Sequence, residues 1–476
     1  MSKCINKASL ISAFLLVALL FQLFIPTSYA ANKSYQEEKI TFQSGTGPYR
    51  ETLNGTVLVP NTSGLHPAIV LVHGAGKGDQ MELRKEAEMF VRAGMVTLIY
   101  NKRTKGYSKT ERSYQLLADD VIAAMKTIST RPDVDTKKIG LWGFSEGGWV
   151  APLAASKSKQ VAFMITIGAP LVKPLQQQTW SLENRLHHIG VTSDAMIQSL
   201  ARNGAKFVYS AGLFPEAAYD PVPVMKQIKQ PVLAIWGSQD RIVPPEESSQ
   251  IMKKILNTSG NYYNTMLFLK DATHEGFQSS EDGFANTPSF TADYEKELNT
   301  WLDQVLKGNP PVSKVIGQTP TQERLSPPEV TSLHWYDSAK FQLKLILFFL
   351  IVFIGYFIIG IFNRKSKSAT APLVQKWAKH LAISGLVTVL LFWAYLLLIW
   401  FFGGQIVGYI MLGRSIFWLL IQLLTISTCL FTLWLIMVWW KNRTCVRLLD
   451  KIRFSLLVLG GIVLLPWALY WQLLFS

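Results

Sequence analysis

Residues 341–476 hold four apolar runs, at about 341–362, 381–402, 415–440 and 454–474. Each is near the ~20 residues an α-helix needs to cross a hydrocarbon core, so the sequence predicts an all-α region of four transmembrane helices. No other feature constrains the chain as tightly. Charge follows the same division. The formal net charge of +15 would ordinarily raise nucleic-acid binding. Yet twelve Lys/Arg against one acid, Asp450, sit in 341–476, beside the apolar runs. Membrane topology accounts for that excess, and nucleic acid is set aside as a partner. Loop 363–380 carries Arg364, Lys365, Lys367, Lys376 and Lys379, and loop 441–453 carries Lys441, Arg443, Arg447, Lys451 and Arg453, whereas loop 403–414 has only Arg414. The excess of positive charge puts the first two in the cytoplasm, so the first helix enters from outside. Lys344 can snorkel to the interface. With no acid inside a run there is no proton relay or ion path to read, and the helices are expected to be an anchor.

The N-terminus agrees with that orientation. Residues 1–30 read as a signal peptide: Lys3 and Lys7, the apolar stretch LISAFLLVALLFQLFI, a break at Pro26, and small residues around Ser28-Tyr29-Ala30. An uncleaved N-terminal anchor is the alternative, and either leaves the following residues outside the cytoplasm. Residues 308–340, GNPPVSKVIGQTPTQERLSPPEV and beyond, are expected to be a Pro-rich linker too poor in apolar groups to pack. That leaves residues 31–307 as one self-contained domain. The absence of cysteine from it excludes a disulfide framework and a cysteine zinc site, since Cys4, Cys429 and Cys445 all lie elsewhere. There is no H-E-x-x-H, and HGAGKGD lacks the first Gly and the Ser/Thr of a phosphate loop. No metal and no cofactor is expected.

Within 31–307, short apolar runs at Gly55–Val59, Ala68–His73, Met95–Asn101, Lys138–Trp142, Phe163–Gly168, Pro231–Trp236 and Thr265–Lys270 alternate with helical patterns such as MELRKEAEMFVRAG and SYQLLADDVIAAMKTIST. Strands buried on both faces, separated by helices, predict an α/β fold with a mostly parallel sheet. Residues 171–228, with Pro174, Pro215, Pro221 and Pro223, break the rhythm and read as a helical insertion.

One stretch carries chemistry. KKIGLWGFSEGGWVAPLAAS, residues 137–156, reads as strand, sharp turn and helix, with Ser145 at the turn between Gly143 and Gly147. A strained serine at a strand end needs glycine on both sides, because neighbouring side chains have no room. An unassisted serine is a poor nucleophile and needs a base oriented by an acid. Asp240 follows the strand PVLAIWG and His274 follows TMLFLKD, in the chain order this arrangement requires. After the strand at 68–73, LVHGAGKGD offers backbone N–H groups for a developing oxyanion; the candidate donors are Ala75 and Glu146.

These features, LNGTVLVP, LVHGAG, GFSEGG, WGSQDRIVPPEES and DATHEGF, resemble the α/β-hydrolase superfamily over about 270 residues, and within it the dienelactone-hydrolase-like and prolyl-oligopeptidase-like serine hydrolases. The resemblance implies the α/β-hydrolase fold, Ser145 as nucleophile, Asp240 as acid, His274 as base, and the insertion at 171–228 as a cap. YNKRTKGYS departs from the family's Y-D-K-R-G-x-G-x-S turn at Asn101, Thr104 and Lys105, which leaves the role of Arg103 open.

Each residue also has a plainer reading. Ser145 could be a turn residue and Asp240 an Asx turn paired with Arg241. Asp271 is a rival acid, poorly placed three residues before His274. His66 and His73 precede the serine. His187 and His188 stand in the insertion, near substrate or merely at the surface. Glu146 could simply favour a helix N-terminus, and Asp119 and Asp120 are expected on a solvated helix face. The reading that joins these signals is a multi-pass cell-membrane protein with an extracytoplasmic serine hydrolase domain. It would cleave an ester or thioester of a small-molecule or lipid acyl substrate, among membrane lipids. A peptidase or amidase of prolyl-oligopeptidase type is one alternative, and a non-catalytic ligand-binding membrane sensor is the other.

Overall fold

The computed structural model describes residues 34–362, 372–441 and 448–475. The expected signal peptide at 1–30 lies outside them, as do 363–371 and 442–447 of the two basic loops.

All seven expected strands form, with four more in the same half of the chain. In order they are β1 (Tyr35–Ser44), β2 (Glu51–Pro60), β3 (His66–Val72), β4 (Val96–Tyr100), β5 (Val134–Phe144), β6 (Val161–Ile167), β7 (Val232–Gly237), β8 (Asn264–Leu269), β9 (Phe277–Ser279), β10 (Asn286–Phe290) and β11 (Lys314–Ile316). Nine of them make one sheet in the order β1-β2-β4-β3-β5-β6-β7-β8-β11. Only the β1–β2 and β2–β4 pairings are antiparallel; the rest of the sheet is parallel. Parallel neighbours need crossovers, and the helices supply them. They are α1 (Arg84–Arg92), α2 (Tyr114–Ser129), α3 (Gly147–Lys157), α4 (Pro174–His188), α5 (Asp194–Ile197), α6 (Gly204–Ser210), α7 (Val222–Met225), α8 (Pro245–Thr258) and α9 (Ala292–Leu306). Tyr114, Leu117, Trp149 and Met252 cover one face of the sheet. Ala87, Phe90, Tyr294 and Leu298 cover the other. The central strands are therefore apolar throughout, as the sequence shows.

The edge strands explain what the sequence pattern hides. β1 is the polar YQEEKITFQS, mostly exposed, and holds its place by pairing along its full length with β2. β11 is three residues in a Pro- and Gly-rich stretch, yet it pairs parallel with Thr265–Leu267 of β8.

β11 also corrects the expected linker. Residues 308–340 stay mostly exposed but are tied to the α/β unit at several points, so that unit continues past 307. Polar contacts do what apolar groups do not. The Gln322 amide donates to Glu246 Oε2 at 2.7 Å, and the Ser326 amide and hydroxyl donate to Glu247 at 2.9 and 3.1 Å. Val330 is fully buried against Leu175 and Ala205.

Four long apolar helices follow: α10 (Ala339–Phe362), α11 (Pro372–Phe401), α12 (Ile416–Lys441) and α13 (Leu448–Tyr470). All four are long and apolar enough to cross a membrane. The second begins earlier than the apolar run at 381, so Lys376 and Lys379 ride on its first turns. The fourth begins before 454 and so takes in Asp450, which lies 3.9 Å from Arg453 within the same turn. The expectation that no acid stands in a span is corrected to that extent: the helix starts at its basic flank.

The insertion at 171–228 does not stand apart from these helices. Leu182, Leu186, Met196, Leu200 and Phe207 share one buried cluster with Trp393, Leu396, Trp418 and Trp471. Trp400 Nε1 donates to the Leu200 carbonyl at 2.8 Å, and Asn203 Nδ2 donates to the Tyr470 carbonyl at 2.8 Å. The amides of Thr192 and Ser193 both donate to the Gly413 carbonyl, in the short loop between α11 and α12. Asp337, fully buried just before α10, accepts from Tyr470 at 2.9 Å and pairs with Lys206 at 3.4 Å. The α/β half is thus seated on one end of the helix bundle, opposite the end that bears Lys376, Lys441 and Arg453.

Candidate active site

Ser145 stands between β5 and α3 at φ 52°, a left-handed conformation that a side chain rarely adopts. The neighbouring sequence makes this possible. A Cβ at Gly143 would collide with the Gly147 carbonyl, and one at Gly147 would lie 2.5 Å from the Val72 carbonyl. The Ser145 amide donates to the Ile167 carbonyl at 2.9 Å, which fixes the turn against the end of β6.

His274 and Asp240 are brought together. His274 Nδ1 lies 2.8 Å from Asp240 Oδ2, and both residues are buried. The carboxylate holds the ring in the tautomer with the proton on Nδ1. Asp240 is held in turn: its Oδ1 accepts the amides of Ile242 and Val243 at 2.9 and 2.8 Å. The Asx-type turn and the pairing with histidine therefore coexist, one on each oxygen. Arg241 turns away to Asp282 at 2.9 Å. Asp271, the rival acid, sits in the exposed turn after β8, at φ 53°.

The remaining histidine nitrogen, Nε2, is buried and has no hydrogen-bond partner among the described residues. No hydrogen bond joins it to Ser145 Oγ. The two are near neighbours nonetheless. The His274 ring packs 5.0 Å from the Phe144 ring and against Gly168, where a Cβ would come within 2.6 Å of it. Gly168 follows directly on Ile167, the residue that binds the Ser145 amide. On the other side, a Cβ at Gly74 would touch Ser145 Cβ at 3.3 Å. Ala75 is exposed in the next position, and neither its amide nor that of Glu146 donates to a protein acceptor among the described residues. Both N–H groups are free to meet a ligand oxygen.

Comparison with known proteins bears on this geometry. Residues 81–309 match the model of the prolyl oligopeptidase family. Esterase EstD of Thermotoga maritima is 26% identical over 267 residues, covering 52% of this chain and 61% of that protein. A thiohydrolase of Aspergillus aculeatus is 29% identical over 125 residues, 25% of this chain and 38% of its own. Among solved structures, an esterase of Pyrococcus furiosus aligns over 60% of this chain and 96% of its own, with 17% identity and a TM-score of 0.41. The family match runs from α1 to α9 and takes in the strand–serine–helix turn. The chain carries an α/β-hydrolase fold. The match and the relatives indicate a serine hydrolase.

Within this hydrolase domain the sequence reading missed a buried charge network beside Ser145. Glu146 is almost fully buried; Oε1 accepts from Lys102 and from Tyr107 Oη at 2.9 Å, and Oε2 pairs with Arg112 at 2.8 Å. Lys102 Nζ also donates to the Gly74 carbonyl, and the Gly76 amide donates to Tyr107 Oη at 3.2 Å. One lysine and one tyrosine therefore join the loop at 74–76 to the residue after the serine. A helix N-terminal charge effect alone does not describe Glu146. His73 closes the same corner. Its Nε2 donates to the Tyr100 carbonyl at 2.7 Å, and burial, with the Lys102 ammonium nearby, lowers its pKa to about 4, so it is neutral.

Arg103, whose role the departure from the family turn left open, is buried and makes a two-pronged pair with Asp120 at 2.8 and 2.9 Å. Asp120 is thus not on a solvated face, and only Asp119 is, paired with Lys157 at 2.9 Å. His187 bonds the Val191 carbonyl, and His188 stacks on Phe284 at 3.8 Å, close to Glu281. Neither reaches Ser145. Among the described residues no group of His, Cys, Asp and Glu is placed to hold a metal.

Proposed function

We propose that the chain is a membrane-anchored serine hydrolase that cleaves an ester or thioester through Ser145, His274 and Asp240. The observation that carries the reading is the conjunction of a left-handed Ser145 with the buried His274–Asp240 pair beside it. His274 Nε2 takes the proton from Ser145 Oγ as the oxygen attacks the acyl carbon. The amides of Ala75 and Glu146 hold the resulting oxyanion. Asp240 keeps the imidazole oriented and stabilises it when charged. His274 then returns the proton to the departing alcohol or thiol, leaving an acyl-serine. Water, deprotonated by the same nitrogen, releases the acid and restores Ser145. The tightening of Ser145 onto Nε2 accompanies substrate binding, as catalytic hydrogen bonds are often long without ligand.

The helices anchor the domain in the cell membrane. The basic loops at 363–380 and 441–453 favour a cytoplasmic location for that end, which leaves the hydrolase domain outside. Small acyl esters and acylated lipids of the same membrane are then the accessible substrates. Esterase EstD and the thiohydrolase support ester or thioester cleavage; the family match at 81–309 favours a peptidase of prolyl-oligopeptidase type as the second reading.

A fluorophosphonate probe tests the proposal. Wild-type protein is expected to be labelled, and Ser145→Ala to lose both labelling and ester turnover while keeping its circular dichroism. Labelling retained at another serine, mapped by mass spectrometry, overturns the assignment. An unlabelled wild-type protein that binds ligand favours the sensor reading.

A further inference from the structure

A cleft of about 410 Å³ opens beside the proposed oxyanion site, with Gly74, Ala75, Phe144 and Phe277 in its lining. Its polar lining is dominated by carboxylates: Glu82, Glu86 and Glu275. Glu86 lies on the core face of α1 and is only 6% exposed. Its Oε2 has no hydrogen-bond partner among the described residues. A buried carboxylate oxygen without a donor is costly unless a ligand supplies one. The cation that also lines the cleft, Lys85, does not supply it. Its ammonium donates to the Pro288 carbonyl at 2.7 Å and lies over the Phe277 ring, 4.9 Å from the centroid. Glu275, next to His274, has its Oε2 held by Asn286 at 2.7 Å. It adds negative charge without neutralising Glu86.

We infer that this cleft is a subsite for a primary ammonium group on the acyl part of the substrate, received by Glu86. The inference rests on the serine-hydrolase reading, since the cleft gains its meaning from the neighbouring Ser145 and Ala75. Ammonium fits better than guanidinium because so nearly buried a carboxylate admits a compact donor more readily than a planar fork. Glu82 and Glu275 raise the local preference for a cation without touching it. The substrate class is therefore an aminoacyl ester or thioester, with its amine a few bonds from the scissile carbonyl.

Burial, reinforced by Glu275, raises the pKa of Glu86 to about 7. The charged and titratable groups around it are Lys85 on its own helix, Glu82 before it, Glu275 after β8, His73 at the end of β3 and Tyr294 on α9. His73, with its pKa near 4, stays neutral across the neutral range. Ammonium binds the ionised carboxylate, so affinity for an amino substrate rises as pH increases through about 7.

The test compares, on full-length protein in detergent, the p-nitrophenyl ester of an ω-aminoalkanoic acid with its uncharged alkanoic isostere. The amino ester is expected to have the lower KM, increasingly so above pH 7. Glu86→Gln should raise that KM roughly ten- to hundredfold, the loss of one charge-assisted hydrogen bond, and leave the isostere's KM unchanged. Normal probe labelling and isostere turnover with no amino preference overturn the subsite and leave the hydrolase standing. Loss of both esters equally in Glu86→Gln assigns Glu86 a structural role and overturns the subsite too. If wild type is neither labelled nor active on either ester, the hydrolase reading fails first and the subsite with it.

Discussion

Lys102 shows how a single side chain can matter to a reaction it does not touch. It spans the Gly74 carbonyl and the Glu146 carboxylate, and so ties together the two segments whose amides are proposed to hold an oxyanion. Lys102→Met keeps much of the length and the packing but removes the bridge. The expected result is a fall in kcat of about ten- to a hundredfold, below the effect of deleting a donor outright, with KM little changed. Unchanged kcat would show that Tyr107 and Arg112 suffice. This network was not legible in the sequence, because its members come from separate loops that only the sheet order brings together. Ser145, Asp240 and His274 were legible as candidates for the opposite reason: each follows a readable strand, and strand ends in a parallel sheet gather at one edge. Asp120 misled because a carboxylate beside Asp119 in a helix looks solvated until Arg103 is seen folding onto it.

Among the elements, β11 has an influence out of proportion to its three residues. It completes the sheet at β8, the strand whose following loop carries His274. A chain ending after 307 loses this edge pairing together with the contacts of Gln322 and Ser326 to α8; one ending after 338 keeps both. The longer form should melt several degrees higher and hold more esterase activity. Equal melting temperatures would show that the segment adds nothing. Both forms should need detergent to stay monomeric. Either cut bares the faces of α4 to α6, where each large apolar side chain was worth about 1.5–3 kcal/mol when buried. The central strands could be read from sequence because burial on both faces leaves continuous apolar runs. β1 and β11 could not, because an edge strand is held by hydrogen bonds its composition does not advertise. The docking of the insertion was equally hidden, since Leu182, Leu186 and Phe207 read like any core residues.

At the level of the whole molecule, the seat of the hydrolase domain on one end of the helix bundle makes the charge-based topology testable from the described residues alone. In a protein freed of its native cysteines, Tyr409→Cys, 75% exposed on the loop that meets the insertion, should react with an impermeant maleimide on intact cells. Lys441→Cys, at the far end of α12, should react only after permeabilisation. The reverse pattern would invert the topology. The same seating orders events during synthesis. The edge of β8 and the apolar faces of α4 to α6 leave the ribosome long before β11 and the last helix that cover them. At ~5–20 residues per second the wait is roughly 2–9 s for β8 and roughly 13–52 s for α6. Throughout it the half-built enzyme exposes a hydrophobic flank, a natural target for chaperones and proteases. On the proposed membrane reading helix insertion becomes a checkpoint, and copies that fail to integrate into the bilayer should be degraded before they can mature into a stray soluble hydrolase.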